Sequence, residues 1–507
     1  MRAGRERRLV TAALLGGMFL AAVEATAVAT AMPTAVAELG GVSRYAWAFS
    51  AYLLTSTTTV PLFGKLADLY GRRRIYAIAV VIFLVGSALC GAAGSMQQLM
   101  FFRALQGIGA GGVVPVAVTV IGDIFPLEER GRMQGLFSAV WAVASIAGPA
   151  LGGLVTDALS WRWVFYFNLP FGTISALLLW KYLREEPPRR SHRLDLLGTA
   201  ALTMAVASVL VVLQEAGPAW GWTDERTLLL LALAALTLAF FVRQERAAPE
   251  PMFPIALLRQ RVIAVALAGG AVLGVLLFTL VAYVPMYAQA VVGGSAAVAG
   301  AVLMPMSLAW PITSTIAGML LLRVGYRALV ILGSVITAGG CLLLALMPGE
   351  PTRAWLMGAM FMTGAGMGLI STPYLVAVQA AVPYATRGVV TSAQQFSRTI
   401  GGAIAVALFG ALLNATLRAR LGSVVGAGRA LDPTQRATLD PVELHAIGGA
   451  LGAGLHVIFL AAAGLALAGI AIALLFPAGS ARAHAHAADV AGTGTAADVV
   501  SGDSGRH

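Results

Sequence analysis

Long apolar stretches separated by short polar connections dominate the pattern of the chain. An apolar stretch of about 20 residues crosses a bilayer as an α-helix, because only a helix satisfies its own backbone hydrogen bonds in lipid. Fourteen stretches have this character, with approximate cores at residues 9–36, 46–66, 75–94, 98–122, 133–155, 163–182, 194–214, 227–242, 262–290, 296–322, 327–347, 354–380, 388–416 and 449–476. The pattern therefore predicts an all-α polytopic membrane protein with fourteen transmembrane helices.

The composition agrees with a membrane protein and argues against soluble classes. Of the 507 residues, 59% are hydrophobic and 11% are charged, whereas soluble globular proteins average about 25% charged residues. This excludes a water-soluble enzyme or nucleic-acid-binding domain, and we expect no nucleic-acid partner. The two cysteines, Cys90 and Cys341, lie in apolar runs and indicate neither a disulfide framework nor a metal site.

The basic residues predict the orientation of the helices. A net charge of +11 would suggest nucleic-acid binding in a soluble protein, but Lys and Arg also accumulate on the cytoplasmic side of membrane proteins. With the N-terminus inside, the segments predicted to be cytoplasmic hold roughly three times as many of the 34 Lys and Arg residues as the external loops. We therefore predict cytoplasmic N- and C-termini and a location in the bacterial plasma (inner) membrane.

A second interpretation exists for the first apolar stretch. The arginines of residues 1–8, the apolar run and Ala27-Val28-Ala29 imitate a secretory signal peptide with a small-residue cleavage site. Glu24 interrupts that run, and the stretch continues beyond the imitation site to Ala37. We therefore favour a retained first helix.

The helix count suggests two six-helix bundles with an extra pair between them, which is an established transporter plan. We predict an N-terminal bundle at residues 1–190, a linker with helices 7 and 8 at 191–250, and a C-terminal bundle at 251–477. The last bundle includes an external loop at 417–448, and residues 478–507 form a disordered cytoplasmic tail. A faint repeat supports the two halves, since Gly64 and Gly71 have the same spacing as Gly318 and Gly325, although Leu322 stands where the first copy has Asp68.

Three charged residues lie well inside predicted spans, where each costs about 2.5–3.5 kcal/mol on insertion scales. Glu24 lies about 15 residues into the first span, or roughly 22 Å from its cytoplasmic end. Arg103 reaches a similar depth on span 4, which runs in the opposite direction. The two residues form either a static ion pair that holds the helices together or a proton site whose carboxyl loads and releases a proton.

Arg398, the third such residue, lies about ten residues into span 13. The second half of the chain offers no acidic residue at its level. Three interpretations stay open: the guanidinium faces an aqueous cavity, binds an anionic group, or donates to backbone carbonyls.

Glycine and proline form a further motif in span 5, at Gly148-Pro149-Ala150-Leu151-Gly152-Gly153. A missing backbone N–H and close-packing glycines predict a bent helix that a neighbour can approach. The alternative is the ordinary enrichment of glycine and proline in transmembrane helices.

These segments together resemble the major facilitator superfamily, and within it the 14-helix drug:proton antiporters (EmrB/QacA-like). Residues 64–74 are similar to the loop 2–3 signature, Arg103–Gly109 to the span 4 signature, and Gly148–Gly153 to the span 5 signature of antiporters. Residues 161–170 (Trp-Arg-Trp-Val-Phe-Tyr-Phe-Asn-Leu-Pro) are similar to the hallmark of the 14-helix group. Residues 24–33 match its span 1 signature, with Glu24 where that group usually has Asp.

The resemblance implies roles for individual residues. Asp68 and Arg72, in the loop 2–3 signature that also contains Gly64 and Gly71, would join Asp123 in a charge latch that holds the outward-open state. Arg103 would couple to Glu24 during proton exchange. Leu322 implies that the corresponding latch of the second half is weak or absent.

Aromatic and thioether side chains are candidates for the walls of a central substrate cavity, although each alone is more often a packing or lipid-facing residue. They are Trp47, Tyr52, Trp141, Phe278, Tyr283, Tyr287, Met304, Met306, Trp310 and Tyr374, and Arg398 is a further candidate. Such walls favour bulky, amphipathic and also cationic compounds, for which Glu24 would be the negative anchor.

The sequence contains no P-loop for ATP, so we expect no cofactor and a proton gradient as the energy source. Each pH unit supplies about 1.4 kcal/mol, and each 100 mV about 2.3 kcal/mol per charge. The leading hypothesis is multidrug efflux: alternating-access antiport of protons against small lipophilic or cationic substrates. A dedicated exporter of one metabolite, lipid or antibiotic is the main alternative, and a membrane enzyme, a receptor or an uptake symporter are weaker ones.

Overall fold

The computed structural model describes residues 5–39, 45–185, 196–216, 220–247, 255–292, 296–347, 352–421 and 440–477. Within these ranges the chain is helical and contains no strand. The helices are α1 (Arg5–Leu39), α2 (Tyr45–Tyr70), α3 (Arg72–Gly91), α4 (Met96–Ile124), α5 (Leu127–Ala158), α6 (Arg162–Tyr166), α7 (Asn168–Tyr182), α8 (Leu196–Glu215), α9 (Glu225–Ala247), α10 (Arg261–Ala290), α11 (Ala296–Val324), α12 (Tyr326–Ala345), α13 (Arg353–Ala380), α14 (Arg387–Leu421) and α15 (Pro441–Leu474). Short 3-10 turns lie at Ile255–Arg259 and Tyr384–Thr386.

The helices follow the predicted apolar stretches to within about eight residues at each end, with α6 and α7 sharing one stretch. Ten helical segments of the described chain are long and apolar enough to cross a membrane, and Ala200–Val212 is a shorter apolar one. The prediction of an all-α polytopic membrane protein is therefore confirmed. The count of fourteen spans stays a prediction.

The apolar cores divide between the two ends of the chain. Tyr76 and Phe137 belong to one core of α1–α7, and Trp161 belongs to another. Phe459 and Tyr326 belong to two cores built by α10–α15. Between these groups, α8 and α9 pack on each other, and α8 also contacts α2 and α14.

The predicted domain boundaries cannot be compared with the helices directly. Those near 190 and 250 fall in residues 186–195 and 248–254, outside the described residues. The same holds for residues 422–439 of the predicted external loop and for the tail at 478–507. The division into three parts therefore stays a prediction.

The two halves meet where α5 packs on α11 and where α14 packs on α2 and α4. Gly131 of α5 and Gly318 of α11 lie so close that a Cβ on Gly318 would overlap the backbone of Gly131. The faint sequence repeat also has a structural counterpart. Gly71 and Gly325 begin α3 and α12 from the same left-handed turn, with φ of 92° and 84°, which favours glycine.

Candidate functional site

A buried ion pair lies at the centre of the first seven helices. Arg103 Nη1 of α4 donates to Glu24 Oε1 of α1 at 2.5 Å, and the two residues are 2% and 1% exposed. The other carboxylate oxygen, Oε2, accepts from Asn168 Nδ2 at 2.5 Å. The carboxylate is therefore held by side chains from two further helices, α4 and α7. The shared depth of Glu24 and Arg103 in the sequence predicted the contact with α4.

Local structure explains how these side chains reach one depth. The Ser95 hydroxyl caps α4 by accepting from the backbone N–H of Gln98 at 3.3 Å, which starts the helix about two turns before Arg103. Asn168 is the first residue of α7, directly after the break at Phe167 that separates α7 from α6. From this position the amide of Asn168 donates to Glu24.

Arg103 makes further contacts beside the one with Glu24. Its Nη1 contacts Gln106 Oε1 at 2.7 Å, its Nε donates to the Ala48 carbonyl at 3.2 Å, and the guanidinium lies 4.2 Å from the centre of the Tyr52 ring. Gln106 Nε2 and Asn168 Nδ2 both donate to Ser87 Oγ, at 3.1 and 2.8 Å. The result is a closed network in which one negative and one positive charge cancel.

Sequence reasoning had assigned no role to Asn168, Gln106 or Ser87. Asn168 and Gln106 lie inside the segments similar to the 14-helix hallmark and the span 4 signature. Each is a neutral amide inside an apolar span, and a buried amide needs hydrogen-bond partners. This feature of the sequence could have indicated that the two residues belong to a polar network. Tyr52, predicted as a cavity wall, instead covers the guanidinium of Arg103.

A second charged cluster lies at the predicted cytoplasmic end, where α2 meets α3. Arg72 Nη2 donates to Asp68 Oδ1 at 2.7 Å, and Arg72 Nε donates to Asp123 Oδ2 at 3.0 Å. The structure thus brings together the three residues of the charge latch. Gly71 provides the turn from α2 into α3, and Gly64 faces Ser392 of α14, with no room for a Cβ between them.

The latch extends into the second half of the chain. Asp68 accepts from the backbone N–H groups of Gly388 and Val389, at 3.0 and 2.8 Å, and so caps the N-terminus of α14. Arg387 Nη1 lies 2.6 Å from Asp123 Oδ1. Arg72 also donates to the Tyr384 carbonyl at 2.7 Å. These contacts hold the two halves together at the predicted cytoplasmic end.

Glu185 completes this cluster from the end of α7. Its carboxylate accepts from the backbone N–H groups of Arg72 and Arg73 at 3.0 and 3.1 Å, and from the Tyr384 hydroxyl at 3.2 Å. Burial and the neighbouring Glu185 carboxylate raise the pKa of Tyr384, so its phenol stays a neutral donor. In the second half, Arg327 Nε of the corresponding turn has no hydrogen-bond partner among the described residues.

Another ion pair lies near the C-terminal end of α1. Glu38 Oε1 accepts from Arg162 Nη1 at 2.5 Å, and Glu38 Oε2 accepts from the Trp161 indole at 2.8 Å. The Glu38 side chain is 51% exposed. Glu38 therefore lies on the same helix as Glu24 and also pairs with an arginine, but it is exposed whereas Glu24 is buried.

The Gly-Pro motif of span 5 lies within α5, which continues through Gly148, Pro149, Gly152 and Gly153 to Ala158. Gly148 and Gly152 are buried, and α5 packs against α1. Burial of these two glycines agrees with close packing of the motif, which stays a prediction. The predicted bend stays a prediction.

Three of the predicted cavity aromatics pack inside the second half. The Tyr283 hydroxyl donates to the Val406 carbonyl at 2.6 Å, Tyr287 lies edge-on to Phe459 at 5.7 Å, and Tyr374 lies 5.9 Å from Phe476. All three tyrosines are less than 7% exposed. In this conformation they join helices α10–α15 to one another rather than line a space between the halves.

Met306 is likewise buried in the core of the second half, whereas other candidates are more accessible or have side chains that are not described. Trp141 of α5 is 41% exposed, and Trp310 of α11 is partly exposed. The side chain of Trp47 lies outside the described residues. Arg398 is partly exposed and has no hydrogen bond or ion pair with any residue that the structure describes, which leaves its donors unused.

Comparisons with known proteins place this architecture in a family. The family model described as Major Facilitator Superfamily matches residues 14–406. The chain is 38% identical over 410 residues to the "Multidrug transporter protein MdtP" of Bacillus subtilis, which covers 81% of this chain and 76% of that protein. It is 35% identical over 404 residues to "Multidrug resistance protein 3" of the same organism, with coverage of 80% and 79%.

A solved structure supports the fold. The human organic anion transporter MFSD10 (TETRAN) superimposes with a TM-score of 0.62 at 16% identity, and the match covers 93% of this chain and 100% of that one. With the helices and the family match, this identifies a multi-pass membrane transporter rather than an enzyme. The chain belongs to the Major Facilitator Superfamily.

Proposed function

We propose that the protein exports small lipophilic or amphipathic compounds from the cell in exchange for protons, by alternating access in the plasma membrane. The relatives named as a multidrug transporter and a multidrug resistance protein support export and a broad substrate range. A dedicated exporter of one metabolite, lipid or antibiotic is the alternative. Competition between chemically unrelated compounds for transport distinguishes the two.

The observation that carries the proton coupling is the position of Glu24. Every other Asp or Glu in the described helices lies in the first or last turn of its helix, whereas Glu24 lies in the middle of α1. Glu24 is also fully enclosed by Arg103 and Asn168. It is therefore the carboxyl group in the described chain that can carry a proton at mid-membrane depth.

Protonation of Glu24 would change the balance of this network. A neutral carboxyl no longer offsets the charge of Arg103, and an unpaired guanidinium inside the protein is costly. Moving Arg103 towards water then lowers the free energy of the first bundle, and this favours a different arrangement of α1 and α4. Substrate binding acts on the same equilibrium, so proton and substrate are coupled through one conformational change.

The latch supplies the second element of the cycle. Asp68, Arg72 and Asp123 join both halves at the predicted cytoplasmic end through Gly388, Val389 and Arg387. Breaking these contacts is required before this end can open to load substrate. We therefore place the described conformation on the outward-facing side of the cycle.

The test compares two carboxyl groups on the same helix. Glu24→Gln and the control Glu38→Gln are reconstituted in proteoliposomes, and rhodamine 123 transport is measured under an imposed pH gradient and under its reverse. We expect gradient-driven accumulation to disappear in Glu24→Gln and to persist in Glu38→Gln, because Glu38 is exposed and its partner Arg162 stays hydrated. Accumulation in Glu24→Gln that still scales with the gradient would show that Glu24 is not the coupling acid.

A further inference from the structure

One side chain of the second half fills a gap in the first half near the predicted cytoplasmic end. Gln379 of α13 is 2% exposed, and its Nε2 donates to the Val118 carbonyl of α4 at 3.4 Å. The same Nε2 donates to the Thr391 hydroxyl of α14 at 3.2 Å. A Cβ added to Gly122 of α4 would lie only 2.7 Å from Gln379 Oε1. The Gln379 side chain therefore occupies the volume that Gly122 leaves free.

Gly122 and Gln379 hold equivalent positions in the two halves of the chain. Three glycines of α4 recur with the same spacing on α13, as Gly107, Gly109 and Gly111 and as Gly364, Gly366 and Gly368. Their neighbours correspond too, because Gly109 packs on α3 and Gly366 packs on α12, the helix of the second half that begins with the matching glycine turn. The same register pairs Gly122 with Gln379. Two equivalent positions that touch each other lie next to the axis that relates the two halves.

The backbone and the preceding turn of α13 are held at the same place. Arg387 Nε donates to the Gln379 carbonyl at 3.2 Å, and Arg387 Nη1 donates to the Gly122 carbonyl at 3.3 Å. Leu375, one turn before Gln379, belongs to the apolar core of the first seven helices together with Val118, which holds the equivalent position on α4. The end of α13 therefore inserts into the first half over two successive turns.

We propose that Gln379 is the inner gate of the transporter, the side chain that fills the space between α4 and α13 when the predicted cytoplasmic end is closed and withdraws when this end opens. The proposal rests on the alternating-access part of the proposed function. The charge latch ties the halves together through ion pairs, whereas Gln379 fills the volume between them. Because its amide is neutral, the inner gate closes without placing a charge on the path of a substrate.

The difference between the two residues is what allows closure. With glycine on both helices, the volume of the glutamine side chain would stay open to water. With a long side chain on both, the two would overlap, and packed interiors do not accommodate such an overlap. One glutamine facing one glycine meets both conditions. Since the two positions are equivalent, either helix can supply the glutamine.

The test exchanges the two residues across the axis. The variants are Gln379→Gly, Gly122→Gln and the double variant Gly122→Gln/Gln379→Gly. The control is Gln97→Ala, which changes an exposed glutamine at the other end of α4.

A single cysteine reports whether the end is open. Ser392→Cys is introduced into a background without Cys90 and Cys341, because Ser392 is buried and faces Gly64 of the other half. An impermeant maleimide is added to inside-out vesicles, which present the predicted cytoplasmic end, and the labelling rate of each variant is compared with that of the Ser392→Cys parent.

We expect Gln379→Gly to be labelled about tenfold faster than the parent, because the hydrogen bonds of the amide to Val118 and Thr391 are lost. Gly122→Gln should be labelled faster by a similar factor, because two side chains then compete for one volume. The double variant should return to within about threefold of the parent, since contacting residues that share one volume compensate for each other. Gln97→Ala should match the parent.

A double variant labelled as fast as the faster single variant would overturn the inner gate, because the two changes would then act independently. Gln379→Gly labelled at the parent rate would overturn it as well. Thermal unfolding of each purified variant shows whether the bundle is intact, and Gln379→Ala, which suits a helix better, replaces Gln379→Gly if the glycine lowers the unfolding temperature. The assay uses neither substrate nor a proton gradient, so Glu24→Gln protein that still couples transport to protons would refute the proposed coupling and leave the inner gate standing.

Discussion

Removing the charge of Asp68 should open the predicted cytoplasmic end of the transporter. Asp68 accepts from the N–H groups of Gly388 and Val389 and pairs with Arg72, so its carboxylate joins α2 to α14 across the two halves. In Asp68→Asn one amide oxygen replaces two charged ones. Arg72 keeps its contacts with Asp123 and with the Tyr384 carbonyl, so the loss falls mainly on the contact with α14.

The magnitude follows from these bonds. Each hydrogen bond to a charged group contributes about 1.5–3 kcal/mol, and a neutral one about 1 kcal/mol. Two charged bonds replaced by one neutral bond cost about 3 kcal/mol of the free energy that favours the closed end. At 1.4 kcal/mol per factor of ten, the fraction of molecules open at this end rises roughly a hundredfold.

Chemical labelling measures that fraction. Ser392 is buried against Gly64, and its hydroxyl has no hydrogen-bond partner in the described chain, so Ser392→Cys removes no hydrogen bond. In a background without Cys90 and Cys341, an impermeant maleimide should label Ser392→Cys far faster when Asp68→Asn is added.

The control is Glu128→Gln, an exposed acid at the same end of the bundle. It should leave the labelling rate within about twofold of the background, because surface charges contribute little to such equilibria. An Asp68→Asn labelling rate that also stays within twofold would refute the role of this carboxylate in closing the end.

Two further predictions concern groups that the two sites place in contact. Asn168→Ala removes the donor of Glu24 Oε2 at 2.5 Å, so proton-driven rhodamine 123 efflux in vesicles should slow by about tenfold; wild-type rates would exclude a positioning role for the amide. Gly318→Ala adds a Cβ that overlaps the backbone of Gly131, so α5 and α11 cannot pack closely and Ser392→Cys should be labelled faster. The control Gly358→Ala should not change the labelling rate, because no atom lies within 4 Å of its added Cβ.

The sequence was sufficient to predict the helices and the depth of the buried charges. Apolar runs of bilayer length dictate helices, and residue counts along antiparallel spans place Glu24 and Arg103 at one level. Counting does not say which way a side chain points, however. The contact of 2.5 Å between the two residues needed the rotation of both helices, which only the packing supplies.

The residues that were missed or misplaced have separate physical reasons. Arg387 was missed because it lies 264 positions from its partner Asp123, and no local pattern relates two residues at that separation. Asn168 and Gln106 are uncharged, so they did not register in a search for membrane-embedded charges. Tyr374 was expected in a substrate cavity, but aromatic residues are equally suited to packing helices together, and its ring lies against Phe476.

The central claim is that Glu24 carries the proton that substrate binding displaces. The direct measurement adds rhodamine 123 to purified protein in weakly buffered solution and follows the pH with an indicator. We predict proton release from the wild type and from Glu38→Gln, and none from Glu24→Gln. Equal proton release from Glu24→Gln and the wild type would contradict the account, because the displaced proton would then come from another group.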